Sequence, residues 1–197
     1  MKLIFISGPS GSGKTTLSKN ILLRIKNGTV LSTDNYYKTG LVSKLLSKVI
    51  DGYFDRRISL DHSLLKKDLR FIIENGYSNY VRFYDFKSKS INKIKIKTKN
   101  VKFLIVEGIF AKDFLNGLNE NDSFFIELKK NKNYCMQKVI KRDFKERGKE
   151  EILAKKDFLK SWDIYYCRFK NKSLKKQSVE FILKKNSDID KILKKIF

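Results

Sequence analysis

A nine-residue segment near the start of the chain has the residue types that hold a nucleotide's phosphates. It fits the pattern GxxxxGK[ST] and consists of Gly8, Pro9, Ser10, Gly11, Ser12, Gly13, Lys14, Thr15 and Thr16. The glycines let successive backbone N–H groups turn towards one anion, and a helix that begins at Lys14 adds the positive end of its dipole. Lys14 can contact the β and γ phosphates, and the Thr15 hydroxyl can bind Mg²⁺. The segment therefore predicts a phosphate-binding P-loop.

Two carboxylates follow predicted strands where a phosphate-transferring enzyme needs them. Asp34 comes just after the predicted strand 29–31, and Glu107 directly follows the continuous apolar run 103–106. Because parallel strands present their carboxyl ends at one edge of a sheet, both side chains should face the phosphates. Asp34 can accept the proton of an attacking hydroxyl, and Glu107 can hold Mg²⁺ directly or through water. Turn capping is the structural alternative for Asp34, and a capping or surface position is the alternative for Glu107.

Six segments, in order along the chain, resemble the uridine kinase and phosphoribulokinase family. They are residues 8–16, 32–38, 53–55, 84–86, 106–109 and 142–148. The resemblance extends over nearly the whole chain and is clearest up to residue 148. It implies transfer of the γ-phosphate of ATP or GTP to the 5′-hydroxyl of uridine or cytidine, with Mg²⁺ as cofactor. It also implies a homo-oligomer, because members of the family tend to form tetramers.

The resemblance also implies roles for single residues. Asp34 matches the catalytic aspartate, which lies near the metal, and Glu107 matches the acidic residue at the metal. Asp55 matches the aspartate that holds the ribose hydroxyls. Tyr84 and Phe86 match aromatic residues that line the nucleobase pocket.

A basic helix near the end of this resemblance is expected to form a mobile lid. Arg142 and Arg147 match lid arginines that neutralise the phosphates during transfer. At about 100° per residue one stripe is basic, with Lys138, Lys141, Arg142, Lys145 and Lys149. The opposite side is predicted to be apolar, with Cys135, Met136, Val139, Ile140 and Phe144. A solvated basic face is the structural alternative to phosphate contact.

Two departures from the family leave the acceptor open. Lys89 stands where the base-reading segment has a histidine, and Ile91 stands where it has an arginine. One alternative is therefore a kinase of the same fold for nicotinamide riboside, pantothenate, glycerate or a sugar phosphate. A regulatory or nucleic-acid-associated P-loop ATPase is a second alternative, and a homologue that has lost catalysis is a third. A GTPase is disfavoured, because the segment 131–134 ends in tyrosine where a guanine-binding aspartate would stand.

The charge balance of the chain needs its own explanation. The 197 residues include 44 Lys plus Arg and 21 Asp plus Glu, a net charge of +23, yet only 8 of the 44 are Arg. Specific nucleic-acid readers rely on Arg, whose planar fork binds bases and phosphates at two points. We therefore attribute most of the charge to a coding bias towards Lys and expect no nucleic-acid partner. Two cysteines exclude a disulfide scaffold, and no apolar run has the roughly 20 residues of a membrane helix, so we expect a cytoplasmic protein.

Strand-like and helical segments alternate along the chain. Strands are predicted at 2–7, 29–31, 103–106, 124–128 and 179–183, with half-buried strands at a sheet edge in 91–101. Helices are predicted at 15–27, 41–50, 62–74, 132–145, 150–169 and 189–196. This order predicts an α/β fold with a mostly parallel sheet. Together with the resemblance it implies a three-layer P-loop fold like that of nucleoside-monophosphate kinases, as one domain over 1–197. We expect a β excursion at about 80–102 and a helical lid at about 142–159.

Overall fold

The computed structural model describes residues 1–115, 123–169, 179–183 and 189–196. The strands are β1 (Lys2–Ser7), β2 (Gly28–Ser32), β3 (Ser78–Asp85), β4 (Ser90–Thr98), β5 (Phe103–Glu107), β6 (Ser123–Leu128) and β7 (Val179–Leu183). The helices are α1 (Lys14–Leu22), α2 (Leu41–Val49), α3 (His62–Asn75), α4 (Lys132–Arg147), α5 (Glu151–Phe169) and α6 (Ile189–Ile196). Five parallel strands form the central sheet in the order β2-β5-β1-β6-β7.

Helices cover both faces of this sheet, which gives the three layers predicted. On β5, Leu104 and Val106 face one apolar cluster, whereas Ile105 between them faces the other. All three side chains are fully buried, as expected for a continuous apolar run in a central parallel strand. The first cluster includes apolar residues of α3, and the second includes apolar residues of α1 and α6.

The predicted boundaries hold best where caps define them. Asp61 caps α3 by accepting a hydrogen bond from the backbone N–H of Leu64 at 3.0 Å, and Gly76 ends the helix in a left-handed conformation. His62 lies at the start of this helix, and its ring stacks on Phe114. Helix α1, in contrast, ends at Leu22 rather than at residue 27.

Strands β3 and β4 form a separate antiparallel hairpin rather than an edge of the main sheet. One buried carboxylate, that of Asp68 on α3, anchors this hairpin. It accepts hydrogen bonds from the hydroxyls of Tyr36 (3.0 Å) and Tyr80 (3.1 Å) and from Nε of Arg82 (2.9 Å). Because Tyr36 lies two residues after Asp34, the same contacts connect the hairpin to the turn that carries the predicted catalytic residue.

The predicted lid segment corresponds to the end of α4, the turn at Gly148 and the first half of α5. Cys135 and Val139 are buried between the two helices as predicted, but Phe144 is 67% exposed, so its expected core position is wrong. The reason is rotation, because nine residues at about 100° each put Phe144 opposite Cys135 on the helix. Asp143 occupies the buried stripe instead. None of the helices within the described residues is long and apolar enough to cross a membrane.

Candidate active site

The predicted phosphate-binding loop connects β1 to α1. Gly11 and Gly13 have positive φ angles of 80° and 97°, a region that side chains disfavour. A Cβ on Gly11 would also overlap the carbonyl oxygen of Cys135 on α4. The Lys14 ammonium donates to the carbonyls of Gly8 and Pro9, both at 3.0 Å. The loop therefore has the compact, glycine-dependent form of a phosphate cradle, and its lysine lies against it.

Three oxygen-bearing side chains meet beside this cradle. The Thr15 hydroxyl donates to Oε1 of the buried Glu107 at 3.4 Å. Oδ1 of Asp34 is buried and accepts no hydrogen bond from any residue that the structure describes. Unpaired buried carboxylate oxygens are costly, and carboxylates with a hydroxyl are the ligands that Mg²⁺ prefers. These three residues, predicted to bind the metal, therefore fit Mg²⁺.

The electrostatics of the cradle are those of a site built for charged ligands. Burial raises the pKa of Glu107, and the nearby charge of Asp34 raises it further, whereas Lys14 acts against both. Burial lowers the pKa of Lys14, which Glu107 and Asp34 partly offset and Arg142 reinforces. The influence of Arg142 on Lys14 shows that this lid arginine lies within electrostatic reach of the cradle. A cation and a buried carboxylate would both be stabilised by the metal and phosphates of a bound nucleotide.

Next to Asp34 lies a cluster of four aromatic rings in contact with one another, called the aromatic box below. Tyr37 is its centre, with ring centroids 5.4 Å from Phe54, 5.3 Å from Tyr84 and 5.9 Å from Phe86. Tyr84 and Phe86 are 5.0 Å apart. Edge-to-face contacts at these distances are favourable and give the box a fixed shape. The two aromatic residues predicted for a nucleobase pocket, Tyr84 and Phe86, are thus in contact with each other.

Asp55 lies at the border of the aromatic box and of the lid helix α5. Its Oδ1 accepts a hydrogen bond from the Ser161 hydroxyl at 2.6 Å. Burial raises the pKa of Asp55 to about 6, and the charge of Asp34 contributes to the rise, although the Ser161 hydrogen bond opposes it. Tyr37 is electrostatically coupled to both aspartates. Asp34 and Asp55, the two carboxylates predicted to bind the acceptor, therefore both lie near the aromatic box.

A buried carboxylate organises the cations of the lid. Oδ1 of Asp143 accepts from Nε and Nη2 of Arg142 at 2.9 and 2.8 Å, and Oδ2 accepts from Nη1 of Arg147 at 3.4 Å. The ammonium of Lys149 lies 3.9 Å from the same Oδ2. The guanidinium of Arg147 also lies 3.9 Å from the ring centroid of Phe86. One lid arginine is thus within electrostatic reach of the cradle, and the other lies on the aromatic box.

The two residues that depart from the family pattern occupy different positions. Lys89 is exposed, and its ammonium lies 5.8 Å from the ring centroid of Phe54. Ile91 is partly buried and packs against the apolar cluster that contains the box. The ammonium of Lys89 therefore lies at the edge of the box, whereas Ile91 adds to the packing around it.

Four residues of this region were not predicted as site residues from the sequence. Tyr37 and Phe54 lie inside segments that carry the family resemblance, near Asp34 and Asp55 in the sequence. Their aromatic character so close to those aspartates could have indicated that they belong to the site. Asp143 directly follows Arg142 in the lid segment. Ser161 is one of many polar residues on α5, and nothing in the sequence distinguishes it.

Comparison with known proteins finds similarity over most of the chain. Residues 3–173 match the family described as phosphoribulokinase / uridine kinase. A uridine kinase of Borrelia duttonii (strain Ly) is 29% identical over 195 residues, 98% of this chain and 91% of that protein. A uridine kinase of Staphylococcus aureus (strain JH9) is 32% identical over 151 residues, 75% of this chain and 70% of that protein. The solved D-glycerate 3-kinase of Cryptococcus neoformans var. grubii shares the fold, with a TM-score of 0.63 at 14% identity over 93% of this chain and 86% of that one.

Proposed function

The chain belongs to the phosphoribulokinase / uridine kinase family, and from this membership we propose that it is a uridine kinase. It would transfer the γ-phosphate of ATP or GTP to the 5′-hydroxyl of uridine or cytidine. The observation that carries the proposal is the position of Asp34, which is electrostatically coupled to Lys14 and Glu107 on one side and to Tyr37 and Asp55 on the other. A carboxylate between a phosphate cradle and an acceptor pocket is what direct transfer requires.

In the proposed reaction Asp34 accepts the proton of the 5′-hydroxyl while that oxygen attacks the γ-phosphorus in line with the leaving oxygen of the diphosphate. Asp55 accepts hydrogen bonds from the ribose hydroxyls, which fixes the sugar, and the aromatic box holds the base. Lys14, Arg142 and Arg147 offset the negative charge on the transferring phosphoryl group. Closure of the lid over the site would exclude water, whose attack would waste the nucleotide.

Magnesium fits the oxygens of Thr15, Asp34 and Glu107. When bound there, it would neutralise charge on the β and γ phosphates. Asp34 then has two roles, since the resemblance assigns it both to the metal and to the proton.

The exposed ammonium of Lys89 supports a second candidate function, a kinase of the same family for an anionic small alcohol such as a glycerate or a sugar phosphate. Lys89 lies over the Phe54 ring at the aromatic box, where a cation could bind an acceptor's negative charge. The four aromatic rings favour a planar acceptor instead, and we therefore rank this candidate second.

The experiment is to incubate the protein with MgATP and a panel of acceptors and to identify the phosphorylated product by mass. The panel contains uridine, cytidine, nicotinamide riboside, pantothenate, D-glycerate and a sugar phosphate. Uridine or cytidine 5′-monophosphate as the main product supports the proposal. Phosphorylation of another acceptor with neither nucleoside used would reject it and identify the alternative directly.

A further inference from the structure

The second half of α5 packs against the turn at 51–55. Lys160 forms an ion pair with Asp51, and the side chain of Ile164 fills the space that a Cβ on Gly52 would occupy. Lys160 and Ile164 are four residues apart, so they lie on one face of the helix. This face therefore holds the turn that carries Asp55.

Ser161 follows Lys160 on this side of α5 and is buried. Its hydroxyl donates to Oδ1 of Asp55 at 2.6 Å, the short distance of a hydrogen bond to a charged oxygen. Among the residues that the structure describes, no other group donates to this carboxylate. Its second oxygen, Oδ2, therefore remains as an acceptor for the hydroxyls of a substrate.

The charge of Asp55 depends on opposing influences. Burial raises its pKa to about 6, and the hydrogen bond from Ser161 opposes that rise. The other groups within electrostatic reach are Asp34 and Asp157, which raise the pKa, Arg147, which lowers it, and Tyr37. Burial raises the pKa of Tyr37 well above its ordinary value, so this phenol is neutral and adds no charge. Of the two groups on α5 that act on Asp55, only the serine favours the ionised carboxylate.

We propose that Ser161 is a positioning residue, which holds Oδ1 of Asp55 and thereby leaves Oδ2 to accept hydrogen bonds from the acceptor. The inference rests on the proposed function, in which Asp55 binds the ribose hydroxyls. Ser161 touches no reacting atom and acts through the aspartate alone. It lies outside the six segments that carry the family resemblance, so the resemblance assigns it no role.

The first experiment measures kcat and the KM for uridine against pH in three variants. Ser161→Ala removes the donor, so the KM at pH 7 should rise by at least about twofold, with kcat changed less than about twofold. The pH below which the KM rises should move up by about one pH unit, because the ionised carboxylate loses a hydrogen bond. Ser161→Thr keeps a hydroxyl and should restore the pH profile of the unaltered chain.

Lys160→Gln is the matched control. It removes the neighbouring contact between α5 and the same turn, the exposed ion pair with Asp51, but leaves Asp55 its donor. If the contact of Ser161 served only to hold the helix against the turn, the two variants would behave alike. We expect Lys160→Gln to leave the KM and its pH profile unchanged, since exposed ion pairs contribute little.

The second experiment needs no substrate. Carbon-13 NMR of the side-chain carboxyl groups follows the titration of Asp55, whose signal is assigned by its loss in Asp55→Asn. The midpoint of this titration should move up by about one pH unit in Ser161→Ala. It should stay in place in Ser161→Thr and in Lys160→Gln.

The outcomes separate the inference from the proposed function. An unchanged midpoint in Ser161→Ala, or an equal change in Lys160→Gln, would overturn the inference while phosphorylation of uridine leaves the proposed function intact. A shifted midpoint with an unchanged KM for uridine would also overturn it, because Asp55 would then not act on the acceptor through this contact. Failure to phosphorylate either nucleoside, with another acceptor used, would overturn the proposed function and the inference with it.

Discussion

The phosphate side and the acceptor side of the site are built in opposite ways. The phosphate side is one loop, 8–16, completed by Glu107 from the neighbouring strand. The acceptor side combines residues 37, 54–55, 84–86, 147 and 161, which come from five separate parts of the chain. In the proposed function the loop binds phosphate through backbone N–H groups and depends on glycine, whereas the box depends on side chains of particular size. We therefore expect changes to the backbone to disrupt the phosphate side. Changes to side chains should instead alter how the acceptor side binds its substrate.

Asp34 lies where the two sides meet, so its removal should have the largest effect. We predict that Asp34→Asn lowers kcat by at least about 10²-fold, because an amide cannot accept the proton of the hydroxyl. Nucleotide binding should survive, since the loop and Lys14 are untouched. A coupled assay for ADP measures kcat, and calorimetry measures the affinity for ATP.

The control for this prediction is Asp51→Asn, which removes an exposed carboxylate that pairs with Lys160. It should leave kcat within about twofold, because exposed ion pairs contribute little. Unchanged turnover in Asp34→Asn would mean that another group accepts the proton and that the two sides do not meet at this residue.

The backbone dependence of the phosphate side can be tested at Gly108, which follows Glu107. Its φ is 144°, and a Cβ there would overlap Oγ1 of Thr33, the residue before Asp34. We predict that Gly108→Ala lowers the free energy of unfolding by about 3 kcal/mol, from backbone strain and steric overlap together. Urea unfolding followed by circular dichroism measures this loss.

Gly76→Ala is the matched comparison, because Gly76 also has a positive φ, 68°, but nothing lies within 4 Å of its would-be Cβ. Strain alone should cost about 1 kcal/mol there. Equal losses in the two variants would show that Thr33 yields easily and that this part of the phosphate side is less constrained than the contacts indicate.

Asp143 connects the two sides, because it binds both Arg142 and Arg147. Asp143→Asn keeps the shape of the side chain but removes the charge that orients both guanidinium groups. We predict a fall in kcat of about tenfold from the loss of preorganisation, with the affinity for ATP changed less than about threefold. Steady-state kinetics with uridine measures kcat, and calorimetry measures the affinity for ATP.

Asp157→Asn is the control, since Asp157 pairs with Lys149 in the same lid at 2.7 Å but is exposed. It should change kcat by less than about twofold. If kcat changes equally in Asp143→Asn and Asp157→Asn, the shared contact with Asp143 does not matter for the arginines of the lid.

The smallest expected effect concerns the acceptor side and pH. Burial raises the pKa of Asp55 to about 6, so the carboxylate loses its charge as pH falls through 6. Between pH 7 and pH 5.5 the ionised fraction falls about fourfold. The KM for uridine should rise by the same factor over this range, because a neutral carboxyl accepts hydrogen bonds from ribose hydroxyls less strongly.

Asp55→Asn should show a higher KM that stays flat over the same pH range. If the KM for uridine is also independent of pH in the unaltered chain, Asp55 does not bind the ribose hydroxyls.

The same contrast between the two sides explains what the sequence could predict. The P-loop residues and the five parallel strands both follow from local patterns, and the structure confirms the strands. On α4 the buried positions of Cys135 and Val139 were predicted, but Phe144 was assigned to the wrong side, because apolar residues also occur on exposed faces. Ser161 meets Asp55 only through the packing of α5 against the turn at 53–55, and no local pattern encodes such a contact. Lys89 could be found only as a departure from a family pattern.

The proposed function requires direct phosphoryl transfer from a nucleotide in the loop to a nucleoside hydroxyl at the aromatic box. The most direct test is the ratio of ADP formed to uridine 5′-monophosphate formed, measured by chromatography with MgATP and saturating uridine. Direct transfer would form one uridine 5′-monophosphate for each ADP, and little ADP would form when uridine is left out. ADP and inorganic phosphate formed at the same rate with or without uridine, and no uridine monophosphate, would contradict it.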